Sequence, residues 1–215
     1  IAGTKLDVRV SEASLMGGQV AVNADVSIDP KLPVFSMDLA VKRVNFSQLT
    51  KLYFDYDDSK GLVSGDYRFS ARMGAEDLMT GRGSLRIEDG NVFAIPLLGP
   101  FSSILGGILP GIAYNNARLA TADFTVADKK ITTHNLQIIG SGFSMFGNGD
   151  IFFMNGGLDM GMRINAQGIP GIVFFPVSKL LEYYSEGTIS NPQWSPRIIP
   201  KIKLPGSGKK PSDRR

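Results

Sequence analysis

The 215-residue sequence contains no cysteine, one histidine and one tryptophan. Without cysteine there is no disulfide framework and no thiolate zinc site. With His134 alone, no histidine cluster can hold a metal, and a Ser-His-Asp triad would have to use that one residue. A strongly basic body is missing too. The net charge is +3, part of it in the final "GSGKKPSDRR", so the body does not track phosphates and nucleic acid is not expected as a partner. The opening "IAGTKLDVRV" lacks a Met and a basic n-region. It starts mid-pattern, as a fragment or a mature piece would.

Charge is also absent from one long window, Gly90 to Ala117, in a chain that is 20% charged. Pro96, Pro100 and Pro110 interrupt it. The residues predict a helix over Ile95–Leu109, with Pro96 in its first turn and Pro110 ending it. Gly99, Ser102, Ser103 and Gly106 fall on a narrow small face. Leu97, Leu98, Phe101, Ile104, Leu105 and Ile108 share the opposite arc. Such a helix is about 21 Å long, too short to span a bilayer, which needs about 20 apolar residues. Its apolar arc needs a greasy partner: the interior of a sheet, lipid, or a membrane surface. A second helix is predicted in "VFFPVSKLLEYY", where Val173, Val177, Leu180, Leu181 and Tyr184 form a stripe and Gly187 is a stop. A third, shorter one is expected near Ser47 to Leu52.

Elsewhere the period is two. In "QVAVNADVSI", Val20, Val22, Ala24, Val26 and Ile28 alternate with a mainly polar set, and "LDMGMRIN" behaves alike. Turn signals stand at Gly17-Gly18, Asp29-Pro30, Asp57 to Gly61, Asp89-Gly90, Asp128 to Lys130 and Asn155 to Gly157. The expected fold is mainly β. It is a curved, groove-like antiparallel meander of nine or ten strands, with two or three short amphipathic helices packed on it or capping it. One domain is expected over residues 1–203, with residues 204–215 a disordered basic tail.

Catalytic signatures do not emerge. His134 in "ITTHNLQI" reads as a wetted strand residue sharing a face with Thr132. "DYDDSKG" lacks the sixth-place glycine and the terminal glutamate of a calcium loop, and reads as a turn. "GRG" and "GNG" do not continue as a dinucleotide fingerprint. Gly81, Gly83, Gly147 and Gly149 there read as strand positions of close packing. Trp194 in "NPQWSP" reads as a pin for the last strand. The expectation is no enzyme, no cofactor and no metal.

Several stretches resemble the C-terminal region of AsmA-like proteins. They are "GRGSLRIEDGNVFAIPLLGPFSSILG", "ATADFTVADKKI", "LQIIGSGFSMFGNGDIFFMNGGLDMGMRINAQG" and "VSKLLEYYSEGTISNPQWSP", spanning about Gly81 to Pro196. Asp128-Lys129-Lys130 departs from the Asp-Gly turn commoner there, which touches hairpin geometry. The resemblance implies a place in the envelope of a diderm bacterium, in the periplasm, tethered to the inner membrane by an N-terminal segment absent here. Relatives of the TamB and YhdP kind form long β-sheet troughs with an apolar interior, implicated in moving phospholipid and in outer-membrane assembly. The family supplies no catalytic residues.

The functional expectation is a non-enzymatic module for phospholipid or another acyl-chain lipid, working between the inner and outer membranes. The candidate lining residues are Val20, Val22, Val26, Phe143, Met145, Leu158, Met160 and Met162 on strands. The candidate helical plug residues are Leu97, Leu98, Phe101, Ile104, Leu105, Val177, Leu180 and Leu181. The alternative is an envelope assembly or docking domain that binds protein partners and carries no lipid. The fate of the apolar sheet face separates the two: full coverage by helices favours docking.

Overall fold

The computed structural model describes residues 4–28, 33–72, 74–108, 117–166 and 181–197. They form one antiparallel sheet of eleven strands, ordered in space as in sequence and not closed into a barrel. The strands are β1 (Thr4–Leu15), β2 (Gly18–Ile28), β3 (Val34–Asn45), β4 (Leu62–Arg72), β5 (Ala75–Gly90), β6 (Ala117–Ala127), β7 (Lys130–Gly140), β8 (Phe143–Phe152), β9 (Gly157–Ala166), β10 (Glu182–Thr188) and β11 (Asn191–Pro196). The mainly β reading holds, with eleven strands where nine or ten were expected.

Several turns follow the local chemistry. Asp128 and Lys129 both take positive φ, 51° and 64°, so β6 and β7 join through a mirror-image two-residue turn that matches the twist of the strands. Met16 and Gly17 do the same between β1 and β2, one residue earlier than the expected Gly17-Gly18. Asp89-Gly90 is not a turn. Both residues continue β5, with Asp89 at φ 49°, and the strand ends against Ala117 of β6.

Helix α1 (Phe46–Phe54) realises the short helix expected near Ser47. Asn45 caps it, its side-chain oxygen accepting from the backbone N–H groups of Ser47 and Gln48, as N-cap residues do. The helix ends where Asp55 turns left-handed at φ 50°. Helix α2 (Pro100–Ile108) is shorter than the predicted Ile95–Leu109. Val92–Ala94 form a 3-10 turn, and residues 95–99 continue as turns. The second proline, Pro100, is the one that opens the helix, consistent with its fixed φ and missing N–H. Leu109 and Pro110 lie outside the described residues.

The predicted helix over Val173–Tyr184 is corrected at its C-terminal end. Tyr183 and Tyr184 belong to β10, paired with Met162 and Gly161 on one side and with Pro196 and Ser195 on the other. Aromatic residues suit a pleated surface, and two ladders outweigh an isolated last helical turn. Gly187 lies inside the same strand. Val173, Val177 and Leu180, together with the tail over 204–215, lie outside the described residues.

Register gathers the core. One row crosses seven strands: Val44, Val63, Ile87, Ala120, Ile138, Met145 and Ile164, and all seven are buried. Phe101 and Leu105 of α2, fully buried, and Phe46 of α1 join the same cluster, as do Val92, Phe93 and Leu98. Trp194 of β11 packs on Phe101 with ring centroids 4.7 Å apart. It donates its indole N–H to the carbonyl of Leu97 at 2.9 Å. The tryptophan therefore ties the last strand to the segment between β5 and β6.

Candidate functional site

The two faces of the sheet differ in chemistry. One face carries polar ladders across the strands. Its row runs Arg9, Asn23, Asp38, Arg68, Arg82, Thr125, Thr132, Asp150 and Asp159. Arg68 bonds Asp38. Lys130 and Thr132 both donate to Asp150, at 2.7 and 2.5 Å. These bonds, from Lys130 first and then Thr132, hold the Asp150 carboxyl below its ordinary value. Glu182 is lowered likewise, chiefly by Arg163. A carboxyl whose value falls on folding adds stability above the ordinary carboxylate range and loses it as the pH drops through the folded value. Thermal stability should therefore hold steady near neutrality and decline in acid, and Asp150→Asn should flatten part of that decline in a melting series against pH. An unchanged slope in the variant would remove Asp150 from the account.

His134 lies on this polar face, exposed on β7. Asp150 lies within its electrostatic reach. In "DYDDSKG", Lys51 bridges Asp55 and Asp57, each at 2.8 Å. Among the described residues no three His, Cys, Asp or Glu side chains group as metal ligands.

The other face is apolar and is itself divided. On β8 and β9, Phe143, Met145, Leu158, Met160 and Met162 are all buried. The Met162 thioether lies over Gly147, whose missing side chain leaves room for it, and the β9 backbone at Asp159 and Met160 comes close over Gly149. Leu98, Phe101 and Leu105 of the plug set are buried, while Leu97, Ile104 and Leu181 are partly buried against the same cluster. The core cluster thus unites Phe143, Met145 and Met162 with the described plug residues, while Leu158 and Met160 are buried outside it. Val20, Val22 and Val26 sit apart on β2, half-buried, opposite Val41, Leu39 and Phe35 of β3. There the apolar face is open: Leu6, Val8, Val10, Leu15 and Leu85 are each at least 38% exposed.

A cleft of about 360 Å³ lies in this open half. Its walls are Leu39, Val41 and Val44 of β3, Leu49 of α1, Val63 and Tyr67 of β4, Leu85 of β5, and Phe124 of β6, with Leu15 at one end. Almost all of the lining atoms are apolar. Gly83 pairs with both Tyr67 and Phe124, and their rings approach over it to 5.7 Å. A Cβ at Gly83 would meet the Phe124 ring at 2.7 Å, so the glycine is what lets the rings close. Phe69 stacks on Tyr67 at 5.1 Å, and Phe35 meets Phe69 in a tilted contact at 5.4 Å. Burial pushes the Tyr67 phenol up, keeping it neutral.

None of these wall residues was among the sequence candidates. The signal was the alternation of Val63, Gly65, Tyr67 and Phe69, which places one set of β4 on one face. What alternation does not carry is the register that brings Phe124 across Gly83 to Tyr67.

The chain matches no family model, no curated protein and no solved structure. Its resemblance to AsmA-like proteins therefore rests on the quoted motifs alone. Among the described residues no helix is long and apolar enough to cross a membrane.

Proposed function

We propose that this protein is a non-enzymatic carrier or conduit for acyl-chain lipid, the β-rich part of an AsmA-like protein of the bacterial envelope. In this reading the sheet curves into a trough, α1 and α2 close one end of it, and the open apolar half receives the chain. The observation that carries the reading is the apolar cleft between β3, α1, β4, β5 and β6. A concave, apolar cleft is where an apolar ligand is expected to bind. Each CH₂ withdrawn from water into it contributes about 0.8 kcal/mol. Such binding needs no fixed polar groups, which accords with a cleft that has almost none. Phospholipid is the expected cargo, the two membranes its source and destination, and the periplasm the compartment.

The test is lipid content. Protein purified under native conditions should carry co-purifying phospholipid, seen by mass spectrometry of an organic extract, and should take up a fluorescent acyl-chain probe. Leu85→Arg puts a cation into the cleft at a residue already 38% exposed. Probe affinity should fall at least tenfold while the melting temperature stays within a few degrees. Protein free of lipid, with no probe uptake, would turn the reading toward a docking domain that holds envelope proteins.

A further inference from the structure

The polar face holds a second cleft, of about 300 Å³, on the side of the sheet opposite the apolar one. Two local features make it. Gly161 of β9 stands between Asn148 of β8 and Tyr184 of β10, and its missing side chain leaves a floor between them. The register of β7 against β8 slips between Thr133 and Leu136, and this bulge brings His134 and Asn135 to the rim. Phe146 and Tyr184 rise from the two walls. They are 41% and 42% exposed on a mainly polar face.

The charges at one end are ordered. Arg163 donates through Nε and Nη2 to Oε1 of Glu182, at 3.1 and 2.8 Å. Arg197 donates through Nη1 to Oε2 at 3.3 Å, and its guanidinium lies 5.3 Å from the centre of the Tyr184 ring. One carboxylate thus orients two guanidiniums and neutralises one, leaving a single positive charge. The remaining guanidinium N–H groups and the Asn148 amide have no hydrogen-bond partner among the described residues. Further along the face Lys130 pairs with Asp150, and Asp159 keeps its negative charge two strand positions from Gly161, away from the guanidinium end. Oriented guanidiniums with free N–H donors suit a carboxylate or phosphoryl group, and exposed rings suit a flat apolar partner.

We propose that this cleft binds an oxyanion joined to a flat ring, with aryl phosphate as the simplest representative. The oxyanion sits at Arg163 and Arg197, and the ring lies over Gly161 between Phe146 and Tyr184. The site is independent of the lipid reading, because it lies on the other face and shares no side chain with the apolar cleft.

Calorimetric titration of the full chain tests it with three probes: phenyl phosphate, inorganic phosphate and benzyl alcohol. Phenyl phosphate should bind saturably, at least tenfold tighter than either of the others. Arg163→Gln should weaken it about tenfold, and Gly161→Leu should abolish it by filling the floor, with circular dichroism confirming the fold of each. Glu182→Gln gives a change of opposite sign. Removing the compensating carboxylate should tighten phenyl phosphate several-fold, which loss of folding cannot do. The proposal is overturned if phenyl phosphate binds no tighter than benzyl alcohol or inorganic phosphate, if Gly161→Leu leaves binding intact, or if Glu182→Gln weakens it.

Discussion

Phe101→Ala is expected to destabilise the protein by roughly 3–5 kcal/mol, the range for a buried Phe truncated to Ala. The ring is fully buried at the centre of the core cluster. It meets Tyr183 edge-on at 5.7 Å and Trp194 at 4.7 Å, contacts that contribute beyond area alone. Neither partner can move in to fill the gap freely. Tyr183 is held by strand pairing on both sides, and Trp194 by its bond to the Leu97 carbonyl. At about 2–4 °C per kcal/mol for a chain of this size, the melting temperature should fall by roughly 10 °C or more. Trp194, the sole tryptophan, should report the change by a red-shifted emission. A variant that melts within 2 °C of the parent would show that α2 does not anchor this part of the sheet.

Gly149→Ala should be comparably severe for a different reason. Gly149 sits at φ +140° in the middle of β8, a conformation that L side chains rarely adopt. A Cβ there would lie 2.2 Å from the carbonyl oxygen of Asp159 and 2.5 Å from Cα of Met160. Both are backbone atoms of the paired strand β9, so relief requires the ladder to part. Strain of this kind costs about 1–3 kcal/mol before the ladder is disturbed, and about 3 kcal/mol or more is expected in urea unfolding. Gly107→Ala is the internal contrast. Gly107 is exposed in α2 with nothing near its Cβ position, and alanine there should stabilise by up to about 1 kcal/mol. If the two variants behaved alike, steric crowding at Gly149 would not be the cause.

These expectations mark what could be read from the amino acids and what could not. The alternation in "QVAVNADVSI" and "LDMGMRIN" identifies β2 and β9 because a strand with one wetted face must alternate. The short helix near Ser47 to Leu52 was expected, while the cap that fixes its start, Asn45, emerged only from the structure. Helix α2 was visible in kind, but its start was misplaced by several residues. Pro96 and Pro100 are equally fit to open a helix, and the 3-10 turn at Val92 settles between them through tertiary packing. The stripe ending at Tyr184 misled because Val173 to Tyr184 also fits a helical period. At Tyr183 and Tyr184 the partners that decide are on the flanking strands β9 and β11, which a helical period does not take into account.

The clefts were harder still. Each has a glycine in its lining, Gly65 in the apolar cleft and Gly161 in the polar one, whose importance lies in which side chains flank it on neighbouring strands. A sequence shows that a side chain is missing; it does not show what stands beside the gap. The candidates named from apolar alternation on β8 and β9 fell in closed core, because α2, the methionines and Trp194 fill that half. The apolar face remained open on β1, at Leu6, Val8, Val10 and Leu15, and at Leu85 of β5.

The order of the strands has one further consequence. Each strand pairs with the one before it and the one after it, so no strand has to be inserted between two that are already paired. As a chain emerges from the ribosome N-terminus first, every new strand finds its template already laid down. The sheet can zip in a single direction, each step closing a loop no longer than the connection just made. The Trp194 indole, arriving last, then fastens onto Leu97, a partner synthesised nearly a hundred residues earlier. It acts as the latch on a sheet whose strand pairings are all between neighbours.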